Sequence, residues 1–90
     1  MREVVRATAF RKDVKRAEKR GKGMAKLRAV LLTLISDETL DPRYRDHPLK
    51  GAWAGYRDLH IEPNWLLLYR VTETELYLAR TGTHADLFRK

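Results

Sequence analysis

The side chains best suited to chemistry in this sequence belong to three histidines, His47, His60 and His84. Histidine gains and loses a proton near neutral pH, so it serves both as a general base and as a general acid. Charged neighbours accompany each of them, in the segments Asp46-His47, Asp58-x-His60-x-Glu62 and Arg80-x-x-x-His84. Three such groups in one small chain favour a reaction that moves protons on a charged substrate.

Arginines and aromatic residues near the histidines indicate RNA cleavage as that reaction. Cleaving RNA without a metal needs a base for the 2′-OH, an acid for the 5′-oxygen and cations that hold the charged transition state. Arg57 and Arg80 suit the phosphate. Trp65, Tyr56 and Phe88 are of the type that stacks on unpaired bases. The residue types therefore predict a site for single-stranded RNA.

Other reaction types find little support in the sequence. The histidines show neither HxH nor HxxxH spacing, and the nearby arginines would repel a divalent cation, so we expect no metal and no other cofactor. Ser36 is the only serine, and no base is paired with it, which argues against a serine hydrolase. The chain has no cysteine, which excludes disulfides, thiolate zinc sites and cysteine nucleophiles.

Length and charge set the class of protein. Ninety residues fit a single domain, 1–90, with one core. The formal charge is +7, and residues 1–28 hold eleven Lys and Arg against three Asp and Glu. This excess predicts a surface for a polyanion or an acidic protein, with a merely solvated helix face as the alternative. No apolar run reaches the roughly 20 residues of a membrane span, and the start lacks a signal-peptide core, so we expect a cytoplasmic protein without a membrane partner.

Hydrophobic spacing predicts elements in the order β-α-α-β-β-β-α. Apolar residues recur at helical spacing from Phe10 to Ala17, with Thr8 as the expected N-cap. Thr83 is expected to cap the last helix, with Asp86 placed as in a capping box. The expected strands are 3–7, 56–62, 65–71 and 76–81, and the expected helices are 9–20, 24–35 and 84–88, with 39–54 as a loop.

This order predicts an α+β fold, with the helical hairpin on one face of a mainly antiparallel sheet. Alternation in strand 56–62 directs Asp58, His60 and Glu62 to the face away from the hairpin. Polar residues on a sheet face of so small a protein indicate that this face is functional. The sheet residues expected in the core are Leu59, Ile61, Leu66, Leu68, Leu76 and Leu78, together with Tyr69 and Tyr77.

Three segments of the chain resemble one protein family. Two of the segments resemble the YafQ branch of the RelE superfamily: 46–65, DHPLKGAWAGYRDLHIEPNW, and 80–88, RTGTHADLF. The third is similar to the helical hairpin of that family and comprises 12–27, KDVKRAEKRGKGMAKL. The likeness spans nearly the whole chain, and its motif is long and specific. Members of this branch are bacterial toxin–antitoxin ribonucleases that cut mRNA on the ribosome. The resemblance implies a small RelE-like sheet, similar to that of microbial ribonucleases, with the hairpin on one side.

The resemblance also implies roles for single residues. The expected catalytic residues are His47 and His60 as alternative bases, His84 as the acid and Arg80 as the electrostatic stabiliser, and the expected substrate-binding residues are Trp65, Phe88, Asn64, Asp58 and Arg57. Asn64 departs from the family pattern, which reads E-P-D-W. An amide cannot accept a proton as a carboxylate does, although Asn64 can hydrogen-bond a histidine or a nucleotide. A member with weakened activity is therefore one alternative.

The function implied by the resemblance is that of a type II toxin, a ribosome-dependent and metal-independent mRNA endoribonuclease that works by attack of the 2′-OH on the adjacent phosphate. The implied partners are an acidic antitoxin, in a toxin–antitoxin hetero-oligomer, and the ribosome with its mRNA. A non-catalytic ParE-like toxin that binds DNA gyrase is the alternative within the superfamily, and the three histidines argue against it. A helix-turn-helix over residues 9–36 is disfavoured, because Leu31, Leu34 and Ile35 fit a buried face.

Overall fold

A computed structural model describes residues 1–88 and contains the predicted elements in the predicted order. The elements are β1 (Glu3–Arg6), α1 (Thr8–Lys19), α2 (Met24–Ile35), β2 (His47–Pro48), β3 (Arg57–Glu62), β4 (Trp65–Val71), β5 (Glu75–Gly82) and α3 (His84–Phe88), with 3₁₀ turns at Pro42–Tyr44 and Gly51–Trp53. β2 was not predicted, because two residues are too few to show alternation. It lies within the segment expected to be a loop, and it carries His47.

The strands form one sheet in the order β1-β5-β4-β3-β2. The pairs from β2 to β5 are antiparallel, as predicted. β1 instead lies parallel to β5, with Glu3 opposite Glu75 and Arg6 opposite Leu78. The sheet is therefore mixed. Hydrophobic alternation sets which face a residue occupies but not which strand lies alongside, so the parallel pair could not be predicted from that pattern.

The two long helices pack against one face of this sheet, as predicted. The buried residues between the layers are Phe10, Ala17, Leu27, Val30 and Leu34 from the helices and Leu59, Ile61, Trp65, Leu67, Tyr69, Leu76 and Leu78 from the strands. None of the helices within residues 1–88 is long and apolar enough to cross a membrane.

β4 is apolar on both faces, and this misled the core prediction. Trp65, Leu67 and Tyr69 face the helices. Leu66 and Leu68 are fully buried but, by alternation along the strand, lie on the opposite face. The prediction of these two leucines for the helix-facing core was therefore wrong, and so was that of Tyr77, which is partly exposed.

Glu62 also departs from the predicted alternation. The pairing of β3 with β4 is irregular between His60 and Glu62, which shifts the phase of the strand. The Glu62 carboxylate consequently reaches the hairpin, where it accepts hydrogen bonds from Lys26 Nζ at 2.7 Å and Lys22 Nζ at 3.4 Å. Asp58 and His60 lie on the face away from the helices, as predicted. The prediction that Glu62 lies on that face was wrong.

The helix starts were predicted with mixed success. Thr83 Oγ1 accepts from Asp86 N at 3.1 Å, and the Asp86 carboxylate accepts from Thr83 N at 3.0 Å, so the predicted capping box is confirmed. At α1 the cap is Ala7, without a side-chain hydrogen bond, and Thr8 is the first helical residue. Gly21 has the positive φ, 78°, that the turn between the helices requires.

Candidate functional site

The predicted histidines come together at one end of the sheet, on the face turned away from the helices. His47 in β2 lies opposite Asp58 in β3, and His60 lies two residues further along the same strand. His84 approaches from the start of α3, with its ring centroid 5.7 Å from that of His60. Two imidazoles at this separation can both reach one phosphodiester group.

His47 is held through one of its two ring nitrogens. Nδ1 lies 2.9 Å from the carbonyl oxygen of Arg45 and 3.0 Å from Oδ1 of Asp58. Asp58 is buried, and burial raises the pKa of its carboxyl, although the neighbouring His47 acts in the opposite direction. The His47 side chain is itself half exposed. With Nδ1 engaged, Nε2 is the nitrogen that His47 presents to a ligand.

His60 is partly buried in the strand that carries it. Its Nδ1 is buried and has no hydrogen-bond partner within the described part of the chain. Burial lowers the pKa of the ring, because the charged imidazolium is the form that loses most solvation. The lowered pKa favours the neutral form of the His60 ring near pH 7.

Asn64 fixes the orientation of His84. The Asn64 Oδ1 accepts from the backbone N of His84 at 3.1 Å and lies 2.9 Å from its Nδ1. A backbone N–H can only donate, so the amide atom facing it is the oxygen. His84 Nδ1 must then carry a proton, which leaves Nε2 for chemistry. Of the two roles that the sequence left open for Asn64, the structure shows the bond to histidine.

A cleft of about 840 Å³ opens beside His60 and His84. Its lining also includes Lys26 of α2, Arg43 and Tyr44 from the first 3₁₀ turn, and Arg45 directly after that turn. Arg45 has a left-handed backbone, φ 51°, and within residues 1–88 its guanidinium makes no ion pair. These cleft residues were not predicted, although Arg43 and Arg45 come just before Asp46-His47 in the sequence.

Arg80 has a partner that was not predicted. Its Nε and Nη2 donate to the Asp13 carboxylate at 2.6 and 3.1 Å, and these hydrogen bonds raise the pKa of Arg80. Asp13 is only 3% exposed and also accepts from Arg16 and from the backbone of Thr81. The Arg80 guanidinium is thus occupied by Asp13 of α1, and these hydrogen bonds hold that helix against β5. This structural role argues against the predicted one of stabilising the transition state.

The Trp65 prediction was wrong. The side chain is 1% exposed and packs under the helices, so no base can stack on it. Its Nε1 donates to Thr81 Oγ1 at 2.9 Å, and that hydroxyl donates to the carbonyl oxygen of Leu66. Trp65 is therefore a core residue that is linked through Thr81 to the backbone of β4. Phe88, at the end of α3, is partly exposed.

Arg57 belongs to a group of hydrogen-bonded side chains around Asp46, the residue before His47, which we call the anchor. Its guanidinium donates to both carboxylate oxygens of Asp46 at 3.0–3.2 Å, and the Tyr69 hydroxyl donates to the same carboxylate. Burial is the main reason that the pKa of Tyr69 is raised. The anchor ties the residue before His47 to the sheet, so the observed role of Arg57 is to position that loop.

Imidazoles on the face of a small α+β sheet turned away from α1 and α2, beside an arginine-lined cleft, make a site of the kind that metal-independent ribonucleases use. Over residues 2–89 the chain matches the family described as bacterial toxin of type II toxin-antitoxin system, YafQ. The chain belongs to this family, which confirms the predicted one.

Individual relatives agree with this assignment. The chain is 48% identical over 88 residues to the mRNA interferase toxin YafQ of Escherichia coli K12, covering 97% of this chain and 96% of that protein. A crystal structure of the E. coli DinJ–YafQ toxin–antitoxin complex superposes with a TM-score of 0.90, at 48% identity and 97% coverage of both chains. A metal-bound toxin from Helicobacter pylori superposes with a TM-score of 0.91, at 37% identity, covering 98% of this chain and 100% of that chain. In the described part of the present chain, no group of three or more His, Cys, Asp or Glu could hold a metal ion.

Proposed function

We propose that this toxin is an mRNA interferase, an endoribonuclease that acts on ribosome-bound mRNA in the cytoplasm and uses no metal. The observation that carries the proposal is the His60–His84 pair, 5.7 Å apart beside the arginine-lined cleft. The E. coli relative, named an mRNA interferase toxin, supports it. The gyrase-binding alternative is not favoured, since a pure binder has no use for an oriented pair of imidazoles.

In the proposed reaction the 2′-oxygen attacks the adjacent phosphorus while its proton passes to Nε2 of His60. The bond from phosphorus to the 5′-oxygen breaks, and Nε2–H of protonated His84 gives its proton to that leaving oxygen. The products are a 2′,3′-cyclic phosphate and a 5′-OH end. His60 is preferred to His47 as the base because burial lowers the pKa of His60 and keeps the ring neutral.

Arg45 is the proposed cation for the transition state. It lines the cleft with both histidines, whereas Arg80 is bound to Asp13. A guanidinium without a competing carboxylate suits the additional negative charge on phosphorus. Replacement of Arg45 by Gln is expected to slow cleavage more than the same replacement of Lys50, which does not line the cleft.

An acidic antitoxin is the proposed protein partner, in a toxin–antitoxin hetero-oligomer. Lys12, Lys15 and Lys19 are exposed on α1, and within residues 1–88 none of them makes an ion pair. A crystallised relative is bound to its antitoxin. If these lysines steer the antitoxin, its association rate falls steeply between low and physiological salt. A salt-independent association rate would contradict this part of the proposal.

Single-turnover cleavage on programmed ribosomes tests the catalytic proposal. His60→Ala and His84→Ala are each expected to slow cleavage by roughly 10²–10⁴-fold, the usual loss for a missing general base or acid. Lys50→Ala, at an exposed lysine that does not line the cleft, is the control. A 2′-deoxy nucleotide at the cleavage position should block the reaction. Wild-type rates in both histidine variants, or cleavage of the 2′-deoxy substrate, would refute the mechanism.

A further inference from the structure

A second cluster of side chains lies on the same face as the histidines. Arg70 of β4 is central, with its guanidinium carbon 4.3 Å from the ring centroid of Tyr77 and 5.7 Å from that of Tyr56. The Tyr56 ring meets Trp53 nearly at a right angle, 84°, with centroids 5.3 Å apart. All four side chains are partly exposed. We call them the aromatic–arginine cluster.

Sheet register relates this cluster to the histidines. His60 lies opposite Leu66, and Arg70 lies opposite Tyr77. Leu66 and Arg70 are four residues apart on β4, so they share a face and are separated by about 13 Å at about 3.3 Å per residue. One extended strand of RNA crossing this face can contact both groups.

We propose that the aromatic–arginine cluster is a subsite for an unpaired base of the RNA strand whose phosphodiester lies at His60 and His84. The inference rests on the function proposed above and adds a binding position to it. Aromatic rings and guanidinium planes are the groups that proteins use to stack single-stranded bases. Among residues 1–88 Arg70 makes no ion pair, so its charge is available to a neighbouring phosphate.

The two ends of the aromatic–arginine cluster differ in charge, and this difference indicates at which end the base binds. At one end the Tyr77 hydroxyl donates to the Glu75 carboxylate at 2.5 Å, and that negative charge repels phosphate. At the other end the rings of Trp53 and Tyr56 form a corner, with Arg70 behind Tyr56. The base stacks in this corner, and continuity with the histidine site favours RNA over a protein as its occupant.

The test measures binding and is independent of cleavage. A fluorescent single-stranded RNA with 2′-deoxy nucleotides cannot be cut by 2′-OH attack, and its Kd is obtained from anisotropy. Tyr56→Leu, which removes the ring, is expected to weaken binding by roughly 5- to 100-fold, the range found for loss of one stacked base. Tyr56→Phe keeps the ring and should bind like the wild type. Thermal unfolding of both variants shows whether the fold survives.

An abasic nucleotide moved along the RNA identifies the contact. At one position it should weaken binding to the wild type as much as Tyr56→Leu does, and it should cause no further loss in that variant. Arg70→Gln should reduce the salt dependence of binding by about one phosphate contact. Additive losses at every position, an unchanged Kd in Tyr56→Leu, or no measurable binding by the wild type would each overturn the subsite. Failure of the histidine variants in the cleavage assay would overturn the catalytic proposal separately.

Discussion

Replacing Asn64 tests how His84 is positioned, since one oxygen of Asn64 accepts both from the backbone and from Nδ1 of that histidine. Asn64→Ala removes both hydrogen bonds. Each contributes about 1 kcal/mol net, and about 2 kcal/mol corresponds to about 30-fold in rate if the bonds serve the transition state. Both residues are exposed, so water replaces part of this contribution. We expect cleavage to slow by roughly 10- to 30-fold.

Asn64→Asp keeps an acceptor oxygen in the same place, and its rate should change by only a few-fold. If this position instead takes the 2′-OH proton, the new carboxylate should raise the rate by about ten-fold or more. Single-turnover cleavage on programmed ribosomes at saturating toxin separates the two outcomes, because binding then does not limit the rate. Thr74→Ala, in the other tight turn of the sheet, is the matched control. A gain of that size with Asp, or no loss with Ala, would refute the assignment of Asn64 as a positioning residue.

Three further predictions follow from buried or paired charges. Asp13→Ala should lower the free energy of unfolding in urea by about 3–5 kcal/mol, because it leaves Arg80 without its partner. Asp37→Asn removes a 79% exposed carboxylate but keeps a side chain that tolerates the left-handed backbone of this residue, so it should cost less than about 1 kcal/mol. As the pH is raised, the cleavage rate should increase with a midpoint below pH 6.5, because burial lowers the pKa of His60 and only the neutral ring accepts a proton. A midpoint at or above pH 6.5 would contradict the assignment of His60 as the base. The hydrogen bond from Arg20 holds the pKa of Asp86 well below its ordinary value. A carboxyl group whose pKa is lowered by folding stabilises the fold at pH values above its ordinary pKa, and this stabilisation is lost as the pH falls. The free energy of unfolding should therefore decrease below about pH 4, and it should decrease less in Asp86→Asn.

Motifs that are local in sequence could be predicted well. The Thr83–Asp86 capping box depends on residues three apart, and the helices on spacing within a dozen residues. The bond between Asn64 and His84 joins a strand turn to a helix start, but both lie within segments that resemble one family. The resemblance therefore placed them in one site.

Properties that depend on distant partners could not be predicted. Arg80 has the chemistry for holding phosphate, but the carboxylate that binds it is Asp13, 67 residues earlier. Trp65 belongs to a strand that is apolar on both faces. Such a strand has no alternation of polar and apolar residues, so its sequence does not indicate which face packs against the helices. Arg45 lies in an aperiodic loop, so its place beside the histidines depends on a fold that the pattern there does not reveal.

The parallel pairing of β1 with β5 has a consequence for how the toxin is made. A protein is synthesised from its N-terminus, so β1 emerges early and has no partner until residues 75–82 follow. His84 comes later still, after the strand that closes the sheet. Pairing between the two ends of a chain is also slow to form, because a long loop must close first. The histidine site of a nascent copy is therefore incomplete until the last strand and helix of the chain have been made.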